Sequence, residues 1–333
     1  MPTDIKSKIK SRIHKKNADE TAPVKISPLK LKTTKTNQFL TFFKPEVFLD
    51  KTSAQIEKIM DLVFEKFDQH AISIDGATIF PGPALARFSI MDRHYGVINN
   101  LSKNASKVLT PEQKAQVHEK LGIKSKNLKI LGGHEAFAIA GIPTTLEFDK
   151  FWLEFPSTKI NIGFYGRVMT IADEETVVIN GFHPHQLAHY TAPGRKLVVL
   201  LISSDSSWKT IREEMLGDVF PEKAPPHTIR GTFYQQAKEF GFESVGIANN
   251  ILHISAGPTE ALFEIDNFFR ESFGMDIVKN KALLASKLLM GGLKGKEIKD
   301  LIHDKTLHAA LEHKETVEAV DHILLKRANH RQV

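Results

Sequence analysis

"ANNILHISAGPTEALFEI", residues 248–265, reads as a short strand running into a helix. His253 sits near the end of the strand, with Ile251 and Leu252 before it and Ile254 after. Eleven residues later Glu264 stands among apolar helix positions. An imidazole and a carboxylate both cost more to bury than a hydrocarbon unless they partner each other. A helix returning beside its own strand brings Glu264 within reach of one ring nitrogen. That bond would fix the tautomer and leave the other nitrogen with the lone pair of a nucleophile. Asn250 before the histidine and Ser255 after it add polar company that a plain core strand lacks.

The flanking chain supplies a sheet for this strand to join. "NQFLTFFKP" is nearly continuous in apolar residues (Phe39, Leu40, Phe42, Phe43) and ends at Pro45, the pattern of a central strand buried on both faces. "DKTSAQIEKIMDLVFEKF" carries Ile56, Ile59, Met60, Val63 and Phe64 at helical spacing, with Ser53 as the expected cap. "AISIDGATIF" alternates as a second strand, and "KLVVLLISS" is a third. The order strand, helix, strand, helix, strand, helices, strand, helix predicts an α+β fold. The specific expectation is a ferredoxin-like βαββαβ sandwich around a four-stranded antiparallel sheet.

Residues about 103–178 interrupt that order. "LTPEQKAQVHEKLG" predicts a helix with Thr110 as cap, Pro111 first and Gln113 closing a capping box. "GRVMTIADEETVVING" predicts a hairpin turning at Asp173-Glu174-Glu175. We read this stretch as an inserted subdomain within a domain spanning 37–275. Residues 276–333 show only helical patterns and form a C-terminal helical extension.

The formal charge of +6 comes from one end of the chain. Residues 1–36 hold ten Lys and Arg against Asp4, Asp19 and Glu20, which leaves −1 for the other 297 residues. Poor in large apolar groups, residues 1–36 read as a disordered basic tail. Ile5, Ile9 and Ile13 lie four apart, so a weak amphipathic helix facing RNA or an anionic surface is the sharper alternative. No run of eighteen apolar residues exists, so no membrane-spanning helix is expected, and the N-terminus has no apolar core after its charges. The absence of cysteine excludes disulfides and thiolate metal sites, in keeping with an expected cytoplasmic location. His183, His185 and His189, and the later His303, His308 and His313, lack companion acids, so no protein-held metal is expected from them.

"FFKPE", "HTIRGTF" and "NNILHISAGPTEALFEIDNFF" together resemble the nucleoside diphosphate kinase family, in order and over roughly residues 38–100 and 180–275. The resemblance implies ping-pong transfer of a γ-phosphate from a nucleoside triphosphate to a nucleoside diphosphate through a phosphohistidine at His253. Glu264 and Ser255 would orient that ring. Lys44 would bind the ribose hydroxyl and the terminal phosphate region, and Tyr95 would help set the geometry of the histidine and lysine. Phe182 would stack on the base, with Ile247 on its other face. Arg212, Thr228 and Arg230 would cradle phosphates, and Asn250 would bond the ribose. Mg²⁺ would arrive with the nucleotide, held mainly by its phosphates. A homo-oligomer is the family's usual state.

The match has gaps. Ile254 stands where the family has a small residue and Ala256 where it has aspartate; Thr232 replaces an acidic residue, and Asp218 or Val219 falls where a phosphate-binding threonine is usual. Ile254 is expected to crowd a phosphohistidine or shift the chain, and Ala256 to lose a helix cap. The larger departure separates Tyr95 from Phe182 by 86 residues. The inserted subdomain is expected either to act as a lid, a filter for acceptors or a partner surface, or, as the equal alternative, to be a decoration with no effect on catalysis. The rival reading is a nucleotide-binding scaffold with the same fold and little or no turnover.

Overall fold

A computed structural model describes residues 2–13, 19–124 and 128–331. Its strands in chain order are β1 (Val24–Ser27), β2 (Asn37–Phe43), β3 (Ser73–Pro81), β4 (Lys129–Gly132), β5 (Thr158–Asn161), β6 (Phe164–Ile171), β7 (Glu174–Ile179), β8 (Lys196–Ser204) and β9 (Leu252–Ile254). The chain divides into two compact units, Met1–Phe88 with Pro193–Val333, and Ser89–Ala192. The sequence reading places the interruption at 103–178; the compact unit takes in the helices on either side as well.

The first unit is a mixed α+β structure around an antiparallel sheet ordered β1-β3-β8-β2-β9. Every residue of β2 is buried, as its unbroken apolar run predicts for a central strand. One face of the sheet packs Phe39, Phe43, Ile79, Val198 and Leu200 against Ile59, Met60, Val63 and Phe67 of the helix Ser53–Gln69. That helix begins one residue earlier than the sequence suggests: Thr52 is the cap, its hydroxyl accepting from Gln55 N while the Gln55 side-chain oxygen accepts from Thr52 N in a capping box. The opposite face is covered by the helix Pro258–Phe273, with Phe268 lying against Phe42 and Phe80.

The expectation about the N-terminal end is corrected. Residues 1–36 are not a disordered tail throughout. Pro2–Ile13 is a helix whose Ile9 and Ile13 are buried in the core, and β1 adds a fifth strand beside β3. The apolar stripe at Ile5, Ile9 and Ile13 was a sound helix signal, but the acidic surface it meets belongs to the same unit. Lys6 pairs with Asp61, and Lys10 with Glu57 at 3.5 Å. Residues 14–18 of that stretch lie outside the described residues. The C-terminal helices (Leu283–Met290, Gly295–Leu301, Lys305–Ala310 and Thr316–Arg331) dock through Leu284, Leu288, Ile298, Leu307 and Ala319. Among the described residues no helix is long and apolar enough to cross a membrane.

The second unit has a four-stranded sheet ordered β4-β7-β6-β5, with β4 and β7 parallel. Leu101, Val117, Phe164 and Ile179 make one core cluster, and Phe148, Trp152, Met169 and Val178 another. The helix Pro111–Lys120 carries the predicted Thr110–Gln113 capping box. The hairpin turns at Ala172-Asp173, both at positive φ, overlapping the predicted Asp173-Glu174-Glu175 turn at Asp173 only.

Candidate functional site

His253 lies on β9, directly across from Phe42 of β2, and the two rings stack with centroids 4.5 Å apart. Strand alternation sends Leu252 and Ile254 into the core and turns the imidazole to the other face, toward the helix Pro258–Phe273. There Glu264 is fully buried. Its carboxylate accepts from His253 Nε2 at 2.7 Å through one oxygen and from the Ser255 hydroxyl at 2.5 Å through the other. An ionised carboxylate only accepts, so Nε2 carries the ring proton and Nδ1 the lone pair. Burial lowers the imidazole's pKa well below its usual value. Glu260 opposes that shift, and Arg212, Lys44 and Arg230 reinforce it. The ring is therefore neutral at neutral pH, as a nucleophile must be.

The approach to His253 is a tight, unusual turn. Ile251 has φ of 71°, a left-handed value that β-branched side chains avoid, and Leu252 N donates back to Asn250 O at 2.7 Å. Both peptide groups of Ile251 are held from the end of β2: its N–H by the Glu46 carboxylate at 3.0 Å, and its carbonyl by Lys44 N at 2.8 Å. "KPE" at 44–46 is thus a clamp on the turn that aims the histidine.

β9 is an edge strand, so the carbonyls of Leu252 and Ile254, which face away from β2, need outside donors. Arg230 donates to Leu252 O at 3.3 Å and Arg212 to Ile254 O at 2.6 Å. The two guanidinium groups are thereby fixed on either side of His253. Burial lowers the pKa of both, that of Arg230 to about 9, with the neighbouring Arg212 second and Asp218 pulling it back. Arg230 also donates to Gly217 O at 3.2 Å, while its Nε is buried without a hydrogen-bond partner among the described residues. Lys44 is 8% exposed, and burial brings it down to about 8, against the pull of Glu46 and with the push of Arg230.

Other expected residues fall into place differently. Thr228 caps the helix Ile229–Gln235: its hydroxyl accepts from Gly231 N at 3.1 Å and donates to Pro225 O at 2.7 Å. Its side chain positions Arg230 two residues on and does not present a hydroxyl of its own. Asn250 is buried beside Val219, with its side-chain oxygen unpartnered among the described residues. Ile247 lies on a short turn and is 54% exposed, so it offers a bare apolar surface. Tyr95 and Phe182 belong to the second unit. There the Tyr95 hydroxyl donates to that of Tyr190 at 3.2 Å, and Phe182 packs on Trp152 and Tyr165.

Both troubling substitutions have benign placements. Ile254 is fully buried in the core under the sheet, on the face away from the ring, so it does not crowd His253. The Ala256 N–H, which has no aspartate beside it, is taken by the Glu260 carboxylate. Glu260 was missed in the sequence because it is four residues downstream, on the helix. Glu46 was missed because a carboxylate after a proline resembles any surface residue.

A cleft of about 440 Å³ opens beside Arg212, lined also by Gly217, Asp218, Val219 and Lys223. The cleft's own carboxylates are Glu213, Asp218 and Glu312, which would face a Mg²⁺ ion carried on nucleotide phosphates. Glu264 is committed to His253 and Ser255, and Glu260 to Ala256. His183 hydrogen-bonds to Gln186 and Asn99, and His308 to Ile302 O.

This constellation defines a histidine–carboxylate site with two fixed cations. One known protein is distantly similar in sequence. No family model matches the chain. Over 158 residues the chain is 27% identical to the nucleoside diphosphate kinase of Pyrobaculum aerophilum, which covers 46% of this chain and 82% of that protein. The crystal structure of an NDP kinase from the same organism aligns with 70% of this chain and 96% of its own, at 18% identity and a TM-score of 0.33. The chain is thus distantly similar to nucleoside diphosphate kinase.

Proposed function

We propose that the protein is a nucleoside diphosphate kinase working by a ping-pong cycle through phosphohistidine. The observation that carries this reading is the fully buried Glu264 carboxylate on Nε2 of a neutral His253, between two arginines fixed on the adjoining carbonyls. The strand order β9-β2-β8-β3 and the helices after β2 and β8 also suit the ferredoxin-like core expected of that family.

In the first half-reaction Nδ1 attacks the γ-phosphorus of a nucleoside triphosphate, and the bond from that phosphorus to the bridging oxygen breaks. The diphosphate leaves with the electron pair. Positive charge develops on the imidazole as the new bond forms, and Glu264 lies ready to balance it without reorganising. Arg212, Arg230 and Lys44 hold the charge that spreads over the phosphoryl oxygens. Asn250 binds the ribose, and Ile247 gives the base an apolar surface that ignores its identity. The Mg²⁺ carried by the nucleotide neutralises its phosphates. In the second half-reaction a terminal oxygen of another diphosphate attacks the phosphohistidine, and the P–N pair returns to Nδ1. One site thus serves donor and acceptor in turn.

Incubation with γ-labelled ATP and Mg²⁺ tests the proposal. The expected product is an acid-labile label on the protein, absent from His253→Ala and discharged by any nucleoside diphosphate. Nucleotide binding with no label would replace the kinase by a nucleotide-binding scaffold.

A further inference from the structure

Part of the lining of the cleft beside Arg212 comes from the C-terminal extension: Glu312 and His313 line it together with Glu213, Asp218, Val219 and Lys223. The segment is firmly mounted. His313 N donates to Ala256 O at 2.9 Å, two residues beyond β9. Leu311 O approaches Gly257 so closely that a Cβ there would stand 2.4 Å from it, so only glycine fits. Glu315 accepts from Trp208 N at 2.9 Å and from the Asn37 side chain at 2.7 Å, and Thr316 donates twice to Asn37. These anchors set Glu312 among the carboxylates that act on Arg212, the guanidinium bound to Ile254 O next to His253.

We propose that Glu312 is a specificity-determining residue that favours Mg²⁺-complexed nucleotide phosphates over metal-free ones. This rests on the kinase reading of the site. A carboxylate in the same cleft as a phosphate-binding arginine raises the cost of admitting anionic charge, and the cost grows with the charge admitted. A nucleotide whose phosphates hold a divalent cation brings much less charge than the bare polyanion. The glutamate thus penalises the metal-free form more than the complex. Its side chain is 53% exposed, so the effect is a screened one of modest size.

Equilibrium binding of ADP, measured in Mg²⁺ and again in EDTA, gives the readout. Glu312→Gln is expected to tighten metal-free ADP by about 3- to 10-fold and Mg·ADP by less than about 2-fold, which narrows the preference. Glu312→Lys should narrow it further, and the gap between variants should shrink in high salt. Both changes are on an exposed side chain, and matching thermal melts would exclude misfolding. A preference unchanged in both variants, or weaker metal-free binding in either, overturns the inference. When the protein still takes label at His253, that result leaves the kinase reading standing. A wild-type protein that binds ADP in neither condition overturns both.

Discussion

The Glu46 carboxylate grips the N–H of Ile251, a β-branched residue at φ 71°, and so holds strained backbone two residues before His253, the nucleophile of the proposed reaction. Removing that grip lets the turn relax and the imidazole swing away from Glu264. Glu46→Ala is expected to slow phosphohistidine formation by about 10- to 100-fold, with nucleotide affinity changed by less than about 3-fold. Glu46→Gln keeps an oxygen acceptor and should recover most of the rate. Rapid-quench labelling of the three proteins measures this; an alanine variant as fast as wild type would deny the clamp a role. Lys44 governs the alkaline side. Its pKa is lowered to about 8, so in the free protein it loses its charge as pH rises through that value. With His253 already neutral, kcat/KM for a nucleoside triphosphate should be level from mildly acidic pH through neutrality and fall above about 8. Stability moves the other way. Between about 8 and 10.5 the unfolded chain holds a proton on this lysine that the folded chain has lost, so unfolding free energy rises with pH across that window. Lys44→Met should abolish the fall and the rise together. His253 and Glu264 were legible because a polar pair on a strand and the helix after it needs a partner, and Arg212 and Arg230 came only with the family resemblance. Glu46 and Glu260 were not, because their partners are backbone N–H groups that the sequence does not mark.

At the scale of elements, the instructive case is the helix Pro2–Ile13. Its lysines made the segment look like a solvated tail, yet Ile9 is fully buried and Lys6 and Lys10 meet acids on the helix Ser53–Gln69. Ile9→Ala should therefore lower the unfolding free energy by about 2 to 4 kcal/mol, read from the urea midpoint, with no accompanying change in RNA affinity. An unshifted midpoint would mean that the helix is not part of the folded core. Charge summed over residues 1–36 misled because it ignores where the opposite charges lie in space. The strands β2 and β8 were plain from their apolar runs, since burial on both faces leaves no polar position to confuse the pattern. β1 was not: four half-exposed residues carry too little pattern, and only pairing with β3 reveals them. The capping box at Thr110 was readable to the residue because it is local chemistry, whereas the Leu311–Thr316 latch joins parts of the chain that no local rule connects.

At the scale of the whole molecule, the unit Ser89–Ala192 is inserted between β3 and β8, which are neighbours in one antiparallel sheet. The first unit's two strands on either side of it end side by side: Pro81 pairs with Lys196, and Gly82 N donates to Arg195 O at 2.7 Å. A connection at such a point can lengthen greatly at little cost, since closure entropy grows only with the logarithm of loop length. His253, Glu264, Lys44, Arg212 and Arg230 all lie on the first unit, and that unit's sheet pairing does not use the inserted strands. Replacing residues 89–192 by a short Gly/Ser linker should leave a protein that unfolds in one cooperative transition and still takes label from γ-labelled ATP at His253. The excised unit, with core clusters of its own around Phe164 and Trp152, should melt cooperatively when expressed alone. A shortened chain that is unfolded by circular dichroism would show that the first unit depends on the insertion for its stability. One that folds, binds ADP and takes no label would show that the five residues are not sufficient for the transfer.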